Sequence, residues 1–382
     1  MKICAIICEY NPFHNGHLYQ LRQARERSGA DAVLCIMSGN FLQRGESSIL
    51  EKHVRAKHAM QAGADVVLEL PAVFATSNAE LFAKGAIRIL SSIPAVNTLC
   101  FGAENADKTA FKLAARYLNS EQKEVSEIIK QEIEKGASYA KARALGFAGF
   151  IPLDMLSSPN NILGLEYTRA IQDFNADMEI LPITRKGAHY ADEELQENYS
   201  SASAIRSALQ NGTPIDGNVP NYVLNDLKNP PLENHLETLE KYALIARSTE
   251  EIKRVCDCSE GLENALKRTA ESNLPLIETL TSARYTSSRI RRIALQNLLK
   301  IEKRLIEKAL NTPLYLRVLG AKKEKTDVLS ALGESDLPLI IRAHDEDVLQ
   351  GTAKEVFEKD VFAEKIYALL NSQATEKRTL FI

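Results

Sequence analysis

CEYNPFHNGHLYQL, residues 8–21, leaves an apolar run and at once places Pro12, His14, Gly16 and His17 in one turn. The run before it, KICAIIC (residues 2–8), has the length and apolar content of a buried strand, and the residues after it keep helical spacing. A first strand that ends in a glycine-containing turn and opens a helix is where a parallel α/β sheet binds anions. Gly16 lets the backbone approach a phosphate closely. The helix expected from about His17 points its N-terminal N–H groups and positive dipole end at the same place. Two imidazoles add donors able to follow charge as it moves between phosphates. A single histidine here would be read as a helix cap or a packed ring. The pair, spaced H-x-G-H directly after a first strand, is read as a phosphate site.

Working outward, apolar runs rich in β-branched residues recur at DAVLCIMSG (31–39), DVVLELPAVF (65–74), NTLCFGAE (97–104) and MEILPITR (178–185). Helical patterns such as residues 17–29 and 48–63 separate them. SGADAVLCIM (28–37) and AGADVVLELP (62–71) share one unit: helix, terminal glycine, aspartate, strand. Short apolar strands alternating with helices predict an α/β fold, a Rossmann-like parallel sheet covered on both faces. Residues 105–150 read as helices inserted over it. Gly, Pro, Asn and Asp gather in NGTPIDGNVPNYVLNDLKNPP (211–231), which sets the domain boundary. The expected division is a catalytic domain at 1–215 and a mainly helical C-terminal domain at 225–382. PLYLRVLGA (313–321) is expected to be a strand and DVFAEKIYALLNSQA (360–374) a late helix.

The composition agrees with this division. A chain of 382 residues exceeds one ordinary hydrophobic core, and 45% hydrophobic with 25% charged residues is usual for a globular protein. A net charge of −3 does not draw polyanions to the whole protein, so any nucleic-acid surface must be a local basic patch. Six cysteines are too few for a disulfide scaffold, and Cys256 and Cys258 lack the second pair of a zinc site. The N-terminus lacks a secretory pattern and no run approaches about 20 apolar residues. A cytoplasmic protein without membrane contact is expected.

About 190 residues on stands SSASAIR, residues 200–206, which alone reads as an ordinary helix N-cap. HNGH (14–17) followed by SSASAIR resembles the HxGH nucleotidylyltransferase superfamily, whose Rossmann-like domain is of the HUP type. The resemblance implies a second phosphate motif there, in which backbone amides and Arg206 hold the β- and γ-phosphates. Longer strings extend the resemblance over essentially the whole chain. EYNPFHNGH, MSGNFLQRGE (37–46), AGADVVLELP, FGAE (101–104), SPNNILGLEY (158–167) and RYTSSRIRR (284–292) resemble the tRNA(Met) cytidine acetate ligase family. The resemblance implies an enzyme that uses ATP with Mg²⁺ to activate acetate as acetyl-adenylate. It then acetylates N4 of the wobble cytidine of elongator tRNA(Met). It implies catalytic roles for His14, His17, Ser203 and Arg206. ATP contacts are implied for Ile7, Cys8, Glu9, Tyr10, Asn11, Pro12, Phe13, His14, Asn15, Gly16, His17, Leu18, Tyr19 and Gln20, and for Gly102, Asn161 of the Asn160–Asn161 pair, and Arg185. Magnesium is expected to enter on ATP, since no carboxylate cluster has the spacing of a resident metal site. The chain departs from the family pattern at Ala202, where a hydroxyl is common, and at Ala283, where a basic residue commonly precedes RYT.

Two further segments are candidates. In MSGNFLQRGE, Gly39-Asn40 follows the second strand, so Gln43 and Arg44 could reach acetate or tRNA; an ordinary structured loop is the alternative. Residues 284–304 set Arg284, Arg289, Arg291, Arg292, Lys300, Lys303 and Arg304 against Glu302 alone. Ile290, Ile293, Ala294, Leu298 and Ile301 form the opposite, apolar stripe. Scarce acidic partners make this the footprint of a phosphate-backbone contact; Tyr285 is read either as a stacking partner for an unpaired base or as a core tyrosine. The competing function is an adenylyltransferase that makes a dinucleotide coenzyme, which would leave the basic half idle. A non-catalytic RNA-binding protein would not need both histidines, and no KMSKS-like string supports an aminoacyl-tRNA synthetase.

Overall fold

The computed structural model describes residues 1–120, 123–137, 139–186, 195, 198–228, 235–371 and 379–382. Five strands arise where the apolar runs were read: β1 (Ile3–Cys8), β2 (Ala32–Ser38), β3 (Val66–Leu70), β4 (Val96–Ala103) and β5 (Glu179–Thr184). All of β1, β2 and β3 is buried, because helices cover both faces of the sheet. Three more strands come from the C-terminal half: β6 (Leu316–Ala321), β7 (Leu339–Ile340) and β8 (Leu380–Phe381).

Among the described residues the sheet has the order β5-β4-β1-β2-β3-β6-β7, with β8 paired to β6. The first five strands are parallel, and β1 lies between β4 and β2, so the chain reverses its direction of winding at β1 and β4. That crevice is where a doubly wound sheet binds its ligand. β6 runs antiparallel to β3 and covers its edge, which would otherwise present unpaired backbone groups. The expected strand at 313–321 therefore exists, and the sheet spans both of the expected segments. Leu244, Ile252, Val255, Leu262, Leu266, Ile290 and Ile293 pack into a helical core of their own. Residues 229–231 of the expected boundary lie outside the described residues, as do 372–374 of the late helix.

The late helix, Gly351–Asn371, is tied to the sheet by buried charge. Lys52 is fully buried; its Nζ lies 2.7 Å from Glu69 on β3 and also contacts Glu364. Arg317 on β6 reaches the same two carboxylates, at 3.0 and 2.7 Å. Against the upward push of burial, Lys52 and Arg317 hold the Glu364 carboxyl at about 2. About one turn earlier on this helix, Asp360 accepts from the Ala72 backbone at 2.7 Å and from the Tyr315 hydroxyl. Removing one member leaves the others charged and out of water. Lys52→Met is expected to cost about 3–5 kcal/mol, read as a lower midpoint in chemical denaturation.

Candidate active site

The turn after β1 is built around its two histidines. His14 is the N-cap of the helix Asn15–Ser28: its Nδ1 accepts from the Gly16 N–H at 3.0 Å, and its own N–H donates to His17 Nδ1 at 3.3 Å. This is a reciprocal capping box made from imidazoles. The rings stack with centroids 3.7 Å apart. With both Nδ1 atoms accepting, each neutral ring carries its proton on Nε2. Burial, with the charge of Arg185 second, pushes His14 down to about 3. Burial, then His14 and Arg185, holds His17 well below its usual range. The pair is a set of neutral N–H donors. Beneath His17, Tyr10 adopts φ +52° and packs edge-on against Phe13 and His17, at 4.9 and 4.8 Å.

A buried guanidinium fixes the surrounding backbone. Arg55, from the helix Lys52–Gln61, donates to the carbonyls of Glu9 at 2.6 Å, Ser38 at 3.1 Å and Leu50 at 2.9 Å, and to that of Gly39. Glu9 Oε1 accepts from the Ser38 hydroxyl at 3.1 Å and the Gln43 N–H at 2.8 Å, and burial raises its pKa.

The second motif meets the first. Ser201 caps the helix Ala202–Gln210 by accepting from the Ala204 N–H at 3.0 Å. Arg206 donates to the Asn11 carbonyl at 2.8 Å and lies 3.5 Å from Ser203 Oγ. Asn15 closes the junction: its amide donates to the carbonyls of Asn198 at 3.0 Å and Gly217 at 2.6 Å. One cavity results, at the ends of β1, β4 and β5, and Ile7, Cys8, Glu9, Tyr10, Asn11, His14, His17, Gln20, Gly102, Arg185, Ser203 and Arg206 all line it. Gln43 and Arg44 line it too.

Other expected contacts lie elsewhere. Pro12 and Phe13 are buried, Leu18 packs on the core, and Asn15 is spent on the junction. Gly16 and Tyr19 line a small adjoining recess, where Lys186 sits 4.4 Å over the Tyr19 ring. Asn161 is fully buried and holds the backbone of Glu104 and Asn105 through its carbonyl oxygen, at 3.0 and 3.2 Å. Its neighbour Asn160 lines the cavity, with its side chain between Glu104 and Arg185. Of the pair, Asn160 and not the expected Asn161 reaches the cavity, because one step along a helix turns a side chain through about 100°. Sequence reasoning also passed over Arg55, Glu46, Phe82, Leu163 and Tyr167; the last four line the cavity. Leu163 and Tyr167 lie in the quoted string SPNNILGLEY, which was the available signal.

The basic helix, Ser287–Leu299, has more acidic company than its own sequence suggests. Arg284 pairs with Glu260 at 2.9 Å, and Tyr285 donates to the same residue at 3.3 Å. Arg289 donates to the Asp257 carbonyl at 3.0 and 2.8 Å. Arg292 is largely buried, 3.6 Å from the Asp257 carboxylate. Arg291 pairs at 2.7 Å with Glu46 from the 37–46 loop. The expected scarcity of acidic partners is thus corrected: distant segments supply them.

The HIGH Nucleotidyl Transferase family model matches residues 1–380. A tRNA(Met) cytidine acetate ligase of Caldanaerobacter subterraneus subsp. tengcongensis is 36% identical over 388 residues, 97% of this chain and 95% of that protein. The chain belongs to the tRNA(Met) cytidine acetate ligase family. A relative of the same name from Thermosipho africanus is 34% identical, over 99% of this chain and 97% of its own. The crystal structure of Thermotoga maritima TmcAL (apo, form I) superposes with a TM-score of 0.92 at 29% identity, covering both chains completely. Form II of that protein, bound with alpha-thio ATP, gives 0.87 at 28% identity, again with complete coverage of both chains.

The glycine of this family member's H-x-G-H has a steric reason as well as a chemical one. A Cβ on Gly16 would lie 2.8 Å from His14 Cε1. Gly16→Ala is therefore expected to displace the His14 ring from its cap and lower the ATP-dependent rate at least about tenfold, with a loss near 1 kcal/mol in stability, checked by kinetics and denaturation. The histidines also set an acid limb. The folded pKa of His14 lies below its ordinary 6.5, so the unfolded chain takes up the proton first. Stability is full above pH 6.5 and declines as pH falls toward 3. His14→Asn, which keeps a cap but does not titrate, is expected to flatten that decline in denaturation curves recorded across the interval.

Proposed function

We propose that this chain adenylates acetate with ATP and transfers the acetyl group to N4 of the wobble cytidine of elongator tRNA(Met). The observation that carries the reading is the meeting of HNGH and SASAIR around one cavity at the β1–β4 crevice. The relatives' names supply the acid and the acceptor.

In the first step an acetate oxygen attacks the α-phosphorus, and the bond from that phosphorus to pyrophosphate breaks. Nε2–H donors of His14 and His17 stabilise the α-phosphate oxygens, while Ser203, Arg206 and the amides opening the Ala202–Gln210 helix receive charge on the leaving pyrophosphate. Ile7 to Asn11, Gln20, Gly102, Arg185 and Asn160 position the rest of the nucleotide. Magnesium enters as the counter-ion of the triphosphate; among the described residues no three His, Cys, Asp or Glu side chains form a metal set. In the second step the cytidine N4 attacks the acetyl carbon, the bond to AMP oxygen breaks, and N4 gives up one proton. Residues 1–215 serve adenylation. Within 225–382, Arg284, Tyr285, Arg289 and Arg291 meet RNA, whereas Arg292 holds the helix to Asp257. No helix among the described residues is long and apolar enough to cross a membrane; a tRNA substrate supports a cytoplasmic reaction.

The test supplies ATP, Mg²⁺, radiolabelled acetate and total bacterial tRNA, then digests the tRNA. Label in N4-acetylcytidine is expected, and His17→Ala should lower it by about 100-fold or more. Arg291→Glu should raise the KM for tRNA. Arg292→Glu should instead lower stability, by about 3 kcal/mol or more. Absence of label, with ATP consumed only when a phosphorylated coenzyme precursor is added, would overturn the reading in favour of a dinucleotide adenylyltransferase.

A further inference from the structure

Glu46 stands between two arginines to which the preceding reading gives different polyanions. Its Oε1 lies 2.7 Å from Arg291 Nη1, and its Oε2 lies 3.6 Å from Arg206 Nη2. It also lines the cavity. The loop that carries it is held on both sides. Gly45 adopts φ +74°, and a Cβ there would come within 2.5 Å of the backbone of both Arg291 and Arg292. On the other side the Gln43 N–H donates to Glu9 at 2.8 Å, and the Gly45 N–H bonds to the Leu42 carbonyl at 2.9 Å. The carboxylate is thus delivered to a fixed place between the two guanidiniums, closer to Arg291.

A carboxylate shared by two cations dictates a sign. A triphosphate that engages Arg206 displaces Glu46 from it, and Glu46 then pairs more fully with Arg291. An RNA phosphate at Arg291 displaces Glu46 the other way, onto Arg206. Each polyanion strengthens the ion pair that opposes the other, and linkage makes the effect equal in both directions. We propose that Glu46 is a positioning residue that makes occupancy of the triphosphate site and of the RNA face mutually antagonistic. Arrival of tRNA after adenylation then favours departure of pyrophosphate. The inference rests on assigning Arg206 to ATP and Arg291 to tRNA.

The experiment measures the Kd of the full-length protein for α,β-methylene ATP, with and without saturating elongator tRNA(Met), at one ionic strength. In the wild type the tRNA is expected to raise that Kd about fivefold. Glu46→Gln keeps the size and loses the charge, and should reduce the ratio below about twofold, the remainder being direct repulsion between the two polyanions. Arg291→Gln, read at saturating tRNA, removes the same bridge from the other end and serves if Glu46→Gln folds poorly. A wild-type ratio near one, or a ratio unchanged in both variants, overturns the proposal while leaving the ligase reading intact. A wild type that binds neither ligand fails the ligase reading itself, and this inference with it.

Discussion

The site hangs from the carboxyl ends of β1 and β2, and one buried guanidinium holds both. Arg55 is completely buried, yet its partners are backbone carbonyls, at Glu9, Ser38, Gly39 and Leu50. Strand-end carbonyls inside a protein must find donors, and an arginine removed from water must find acceptors. Each need meets the other here. The turn that carries His14 and His17 and the loop that carries Gln43 to Glu46 therefore start from a common anchor. Two walls of the cavity are set by a residue that does not itself line it.

Within the cavity, charge and hydrogen bonding are given to different residue types. The histidines are neutral donors whose orientation is fixed by the helix start. The positive charge comes from guanidiniums, Arg44, Arg185 and Arg206, which line the same space. A phosphate bound there would thus meet neutral N–H donors on one side and cations on the other. The glutamates are handled just as differently: Glu46 faces two arginines, whereas Glu9 is held by a hydroxyl and a backbone N–H.

How much of this was legible follows from how local each cause is. The strand–turn–helix at residues 3–28, the Ser201 cap and the strand at 316–321 come from short-range pattern, and they stand where the sequence puts them. The meeting of the two phosphate motifs was readable only through their order and the family resemblance. Choosing between Asn160 and Asn161 needed the rotation of a helix whose start no strong cap announces. The partners of Arg289, Arg291 and Arg292 were hidden because Asp257 and Glu46 lie about 35 and 245 residues away in the chain. The buried set of Lys52, Glu69, Arg317 and Glu364 is similarly invisible: it joins four elements, and each member alone reads as a surface charge.

The double duty of His14 separates what the fold demands from what the chemistry demands. As a helix cap it could be replaced by asparagine, aspartate or serine, all of which cap as well or better. None of them presents an imidazole N–H at the same reach while remaining neutral. Folding alone would therefore let position 14 drift among several small polar residues, and it is the proposed reaction that would confine it to histidine. A variant chain of this fold that carried such a residue there would keep its architecture and its cavity, and under the proposed reaction it would bind without reacting. Near neutral pH its stability would not reveal the exchange; only the missing decline toward pH 3 would.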